Sequence, residues 1–171
     1  YFSAFSNTDE LAQLITYDSR LSTLILGGGS NILFTKDVDG LVLKNEISGI
    51  EKIKEDSEFV YLRAGAGVNW HQFVLYCVDH NYGGVENLSL IPGNVGASPM
   101  QNIGAYGVEF ADICRYVDFY DWTARKVRRL TGNECQFAYR DSIFKQQLQG
   151  KGIIVAVGLV LYRDPKPVLS Y

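Results

Sequence analysis

Residues 90–107 constrain this chain more than any other stretch. They carry four glycines, two prolines and no charged residue. Glycine admits positive φ and lets the backbone approach closely to something else, while proline stiffens φ and removes an amide donor. A solvated loop normally carries ionic side chains, and here the only side-chain amides are Asn94, Gln101 and Asn102. The segment therefore reads either as a connection packed beneath another layer or as a strip of main chain laid against a large ligand. A second glycine cluster upstream, Gly27, Gly28, Gly29, Ser30 and Asn31, favours the ligand.

The rest of the chain supplies a frame for two such loops. Residues 1–6 read as a strand, and residues 7–18 as a helix capped by Asn7 with Glu10 reaching back. Leu11, Leu14 and Ile15 share one face of that helix. Residues 23–26 form a short buried strand that runs into the first glycine cluster. A dinucleotide fingerprint needs G-x-G-x-x-G opening a helix, but Ile32 stands in the last position and residues 31–34 read as another strand. An amide nest around an anion and a plain turn between strands both fit the glycines. Further strands are expected at 40–44, 47–53 and 59–64. Gly65, Ala66 and Gly67 make a strand-to-helix turn, with Trp70 where the fingerprint needs glycine.

Asn69 caps the next helix, which buries Trp70, Phe73, Val74, Cys77 and Val78, leaves His71 solvated and stops at Gly83-Gly84. Residues 113–121 and 126–130 read as a hairpin, with Thr131 and Glu134 as a second capping box. Residues 152–162 are a long apolar strand, central to an antiparallel sheet and ended by Pro165 and Pro167. The class is α+β, in two lobes that divide near Lys44: lobe one over about 1–44 and lobe two over about 45–171.

Composition narrows the partners. The chain has 171 residues and a net charge of -3, which speaks against nucleic acid or an anionic membrane surface. No apolar run approaches the ~18 residues of a span. Three widely spaced cysteines fit free thiols in a reducing cytoplasm, and two histidines make a metal site unexpected. The chain opens on a strand and stops without a closing element, as an excised piece of a longer protein would. Its one crowded ionic segment is 137–145, where Arg140 offers a planar guanidinium suited to a carboxylate or enolate. Tyr139 adds a donor and Asp141 a fixing partner or cap, although a surface turn with a local ion pair is equally readable. With no nucleophile elbow, P-loop or Cys–His pair in the sequence, redox chemistry would fall to a cofactor.

Three motifs in order, residues 26–31, 91–107 and 139–145, resemble the UDP-N-acetylenolpyruvoylglucosamine reductases, flavoenzymes of bacterial cell-wall precursor synthesis. The turn at 65–67 with Trp70, and residues 85–88, resemble them as well. The resemblance implies an FAD-binding domain of the vanillyl-alcohol-oxidase (PCMH) type with non-covalent FAD between two α/β lobes, the second mainly antiparallel. It implies that Gly27, Gly28, Gly29, Ser30 and Asn31 wrap the pyrophosphate. Ile91, Pro92, Gly93, Gly96, Ala97, Met100, Gln101, Ile103, Gly104, Ala105 and Ile154 would line the rest of the cofactor, with Ala97 where many relatives show a hydroxyl. Arg140 would be catalytic, and Tyr139 and Tyr171 would contact substrate. NADPH would be the reductant and UDP-N-acetylglucosamine enolpyruvate the substrate, in peptidoglycan synthesis and hence cell-wall biogenesis, cell shape and division. The full-length enzyme would be a cytoplasmic monomer. A C-terminal substrate-binding domain with the proton donor and a glutamate would lie beyond this chain, leaving it inactive alone. Another flavoprotein oxidase of the same fold and a non-catalytic nucleotide-binding module are the alternatives.

Overall fold

The computed structural model describes residues 1–16 and 22–165. Three short parallel strands, β1 (Phe2–Phe5), β2 (Thr23–Leu26) and β3 (Leu41–Asn45), form a sheet in the order β1-β3-β2. Parallel neighbours need a crossover, and α1 (Thr8–Thr16) lies in the connection from β1 to β2. The Asn7 side chain accepts from the Asp9 and Glu10 amides, while the Glu10 carboxylate reaches one residue beyond the cap, to the Ser6 amide and hydroxyl. The Ser6 amide above all holds that carboxyl below its usual range. The end of the expected helix, 17–18, lies outside the described residues.

Two expectations fail in this sheet. The strand β2 is half-buried rather than buried, because one of its faces looks into a cleft described below. No strand forms over 31–34: β3 already bonds both neighbours, nothing described pairs with this segment, and Ile32, Leu33 and Phe34 stand exposed.

The second sheet is antiparallel. It contains β4 (Ile50–Glu55) and β5 (Phe59–Gly65); the chain then makes a two-residue pair, β6 (Gly104–Ala105) with β7 (Val108–Glu109), before β8 (Cys114–Asp121), β9 (Lys126–Thr131) and β10 (Gly152–Tyr162). The order is β4-β5-β10-β8-β9, so the longest apolar strand is central, as its sequence predicts. Residues 153–159 of β10 are buried without a break, which requires cover on both faces of the sheet. One face carries the main core, where α2 (Trp70–Asp79) brings Trp70, Phe73, Val74 and Cys77 against Leu62, Val117 and Ile154. The other carries a smaller core in which Tyr120, Ile153 and Val155 meet Phe5, Leu11 and Leu43 of the parallel sheet. That second core, together with Asn45 Nδ2 donating to Ile154 O (3.0 Å), fastens the two sheets together.

The helix α2 starts where expected, with the Asn69 side chain accepting from the Gln72 amide. It ends earlier than Gly83-Gly84. Asn81 takes φ 57°, its amide donates to Val78 O, and the Tyr82 amide donates to Cys77 O, which closes a Schellman turn. Val78 is exposed at the rim instead of buried. Trp70 is fully buried, and its indole N–H donates to Leu88 O (2.8 Å). On the same face as Tyr120, buried Asp118 accepts two bonds from Arg129 (2.8 and 3.0 Å), whose guanidinium stacks on Tyr116.

The turn at 65–67 is tightly packed backbone on two sides. The Gly65 and Gly67 amides donate to Gly49 O and Ile47 O, and the Ala66 amide to Val155 O. On its other side Ala66 O accepts from the Gly96 amide, and a Cβ on Gly96 would fall 2.6 Å from the Ala66 Cβ. Replacing Gly96 by Ala is expected to cost about 1–3 kcal/mol through overpacking. The measurement is urea unfolding, in which the midpoint should fall with the slope unchanged.

Candidate functional site: a cleft between two glycine loops

Residues 27–31 leave the C-terminal end of edge strand β2, the end of parallel strands at which open sheets hold ligands. Gly29 takes φ 71°, which turns the chain without a Cβ penalty. The amides of Gly28, Gly29, Ser30 and Asn31 donate to no acceptor among the described residues. Successive unsatisfied N–H groups on a glycine turn are the makings of an anion nest.

The facing wall is the long glycine loop. Its near end is riveted to the 65–70 segment: the Trp70 amide donates to Gly93 O (3.0 Å), Val95 to Val68 O (2.8 Å) and Gly96 to Ala66 O (2.9 Å). The two loops come close at the rim, where a Cβ on Gly28 would lie 2.9 Å from Asn94 Oδ1 and one on Gly93 3.7 Å from Ser30 Oγ. Two joined hollows open between them. The larger, of 570 Å³, is walled by β2, Asn45, Ala66, Phe119, Trp122, Phe144 and Ile154. The smaller, of 330 Å³, lies over residues 27–32, Pro92, Gly93 and Gln101. Leu26, Gly27, Asn94, Ala97 and Met100 border both. Volumes of this order suit an extended cofactor. Among the described residues, no lining side chain is ionisable.

The far end of the loop is laced to the turn that carries Arg140. Ser142 Oγ donates to Met100 O (2.6 Å), Asn102 Nδ2 to Ala138 O (3.1 Å) and Arg140 Nη2 to Gly104 O (2.8 Å). Ala138 and Asp141 exchange backbone bonds across the turn, and Arg140 takes φ 53°. Asp141 does not pair with Arg140; its carboxylate accepts from the Ser142 amide and the Gln146 side chain. Arg140 and Tyr139 are both exposed at the loop's end.

The structure thus brings Gly27, Gly28, Gly29, Ser30, Asn31, Pro92, Gly93, Gly96, Ala97, Met100, Gln101, Ile103 and Ile154 to the cleft. Three expected members sit elsewhere. Ile91 and Ala105 pack against the main core, and Gly104 is in β6 with its carbonyl on Arg140. Tyr171 lies outside the described residues. Sequence reasoning missed the aromatic wall, in which Phe119 and Trp122, three residues apart, are joined by Phe144 from a later turn, and which looks in the sequence like ordinary core residues. It also read His71 as solvated, whereas the ring is half-buried and its Nδ1 accepts from the Leu90 amide (3.3 Å). Cys77, Cys114 and Cys135 are free thiols, and burial pushes the Cys77 thiol up.

Gly27 separates folding from binding. A Cβ there meets no atom within 4 Å, so Gly27→Ala should leave the unfolding free energy, read from urea titration, within about 0.5 kcal/mol of wild type. Because Gly27 borders both hollows, the same change should weaken FAD binding at least tenfold in a fluorescence-quenching titration.

Comparison with known proteins identifies the family and the fold. The FAD binding domain family matches residues 2–129. UDP-N-acetylenolpyruvoylglucosamine reductase of Amoebophilus asiaticus is 48% identical over all of this chain and 51% of its own length. The reductase of the same name from Shigella boydii is 53% identical over 86% of this chain and 43% of its own. The chain therefore spans about half the length of the curated relatives it matches. A crystal structure of the reductase from Thermus caldophilus superposes with a TM-score of 0.77 at 23% identity, covering 96% of this chain and 56% of that one, and shows the shared fold. By its sequence over residues 2–129, and with a fold to match, this chain belongs to the FAD binding domain family.

Proposed function

We propose that this chain is the FAD-holding part of a reductase that uses NADPH to reduce the enolpyruvyl ether of UDP-N-acetylglucosamine to the lactyl ether of UDP-N-acetylmuramate. The observation that carries the reading is the cleft itself: two backbone cradles face each other across neutral, part-aromatic walls. The fit to FAD is chemical as well as spatial. A pyrophosphate needs several N–H donors and no bulk, and the amides of 28–31 offer them. The flat ring systems need apolar faces, which Phe119, Trp122, Ile154 and Met100 supply. A bound flavin would take a hydride from NADPH and pass it to the substrate double bond.

The chain's own residues then have distinct tasks. Gly27, Gly28, Gly29, Ser30 and Asn31 hold the pyrophosphate. Pro92, Gly93, Gly96, Ala97, Met100, Gln101, Ile103 and Ile154 fix the rest of the cofactor, with Ile91, Gly104 and Ala105 supporting the loop from behind. Arg140, tied to the loop through Gly104 O, faces the negative charge that builds on the substrate's carboxylate and enolate as hydride arrives at the adjacent carbon. Tyr139 and Tyr171 steady the substrate. The atoms balance as NADPH plus one proton plus the enol ether giving NADP⁺ and the saturated ether. On this reading the proton donor belongs to the part of the relatives' length that this chain does not span. The lobes divide near residue 45, the full-length protein is a monomer, and the reaction serves wall synthesis in the cytoplasm, and with it cell shape and division.

The test is the full-length protein. It should purify yellow and, without oxygen, oxidise NADPH beyond one equivalent per flavin only when the enolpyruvyl nucleotide is present. Arg140→Ala should cut kcat by about 10²–10³, the usual effect of removing one preorganised contact to developing charge, with flavin content unchanged. A colourless protein, or NADPH oxidation indifferent to the enol ether, refutes the reading.

A further inference from the structure

We infer that Asn102 is a positioning residue, holding the Arg140 turn in register with the glycine loop; the inference rests on the function proposed above. Asn102 is 1% exposed and left-handed, with φ 45°. Both of its side-chain donors and its acceptor oxygen are engaged, by residues 109–111 and by residue 138. Nδ2 donates to Glu109 Oε2 (2.8 Å) and to Ala138 O (3.1 Å), and Oδ1 accepts from the Ala111 amide (2.9 Å). Glu109 is itself fixed, because its carboxylate accepts from the Asp112 amide while the Asp112 carboxylate accepts from the Glu109 amide.

The placement of these bonds is what makes Asn102 more than a core residue. The turn at 138–142 is tied to the loop at alternate positions 100, 102 and 104. Of the two outer ties, the bond to Met100 comes from the buried Ser142 hydroxyl, two residues after Arg140, and the bond to Gly104 comes from the exposed Arg140 guanidinium itself, which must be free to reorient toward substrate. The Asn102 bond is made instead to the backbone carbonyl two residues before Arg140, so it persists whichever way the guanidinium swings. An arginine on a left-handed, solvent-exposed turn needs such an anchor, since effective charge stabilisation requires a geometry held within about 0.5 Å. Asn102 borders neither hollow, so any effect on the reaction is carried by the segments it holds rather than by its own contact with the cofactor.

The experiment uses the full-length protein and follows the two half-reactions separately by flavin absorbance under anaerobic stopped flow. Asn102→Gly keeps the left-handed backbone available and removes all three bonds. Flavin content and the rate of flavin bleaching by NADPH should stay within twofold of wild type. Reoxidation by the enolpyruvyl nucleotide should slow at least tenfold, and adding Arg140→Ala should slow it no further than Arg140→Ala does alone, as for residues acting as one unit. Asn102→Asp, which keeps the size and the Ala111 bond but loses both donors, should show the same split and decides the matter if the glycine variant does not fold. Equal slowing of both half-reactions, loss of flavin from both variants, or additivity with Arg140→Ala overturns the positioning role. A wild-type protein without flavin or without reoxidation by that nucleotide defeats the parent reading first, and is seen before any variant is made.

Discussion

The molecule turns on one crowded knot of main chain at Gly65, Ala66 and Gly67. Three consecutive amides there bond the segment leaving the parallel sheet, at Ile47 and Gly49, and the central strand β10, at Val155. The Ala66 carbonyl bonds the long glycine loop at Gly96. Cβ atoms on Gly65 and Gly67 would stand 2.4 Å from Ile47 O and 2.7 Å from the Glu46 backbone. Both sheets and one wall of the cleft are therefore referenced to the same three residues. The cleft's width follows from backbone packing, which side-chain rearrangement cannot easily alter.

From that knot the loop at 93–104 runs outward as a ruler with two fixed ends. Its start is set by bonds to Ala66, Val68 and Trp70, and its end by Ser142, Asn102 and Arg140. Between those ends it offers small residues to the cleft. Cations are kept off the walls and gathered at the far end, where Arg140 stands, so a bound ligand meets full charge only where the chemistry would need it. Low-dielectric walls around such a site strengthen whatever electrostatic contact is made at its edge.

Local rules made much of this legible. The caps at Asn7 and Asn69, the hairpin of β8 and β9, and the unbroken apolar run of β10 each carry a sequence signal that depends on a few neighbours only. The glycine loops could be recognised as a pair for the same reason, through their composition. What failed depended on distant partners. Residues 31–34 look like a strand, but strand formation needs a neighbour to pair with. Gly83-Gly84 looks like a helix stop, but Asn81 reaches the left-handed conformation first. Asn102 looks like one more loop amide, and only the fold shows that it holds Glu109, Ala111 and Ala138 at once. The aromatic cleft wall joins β8 and Trp122 to the 143–150 turns through topology alone.

A cleft lined without ionisable groups has a kinetic corollary. Long-range attraction of a doubly negative dinucleotide depends on fixed charge near the entrance, and the net charge of this chain is itself -3. Like-signed charge then slows the encounter, and added salt, by screening that repulsion, should speed loading.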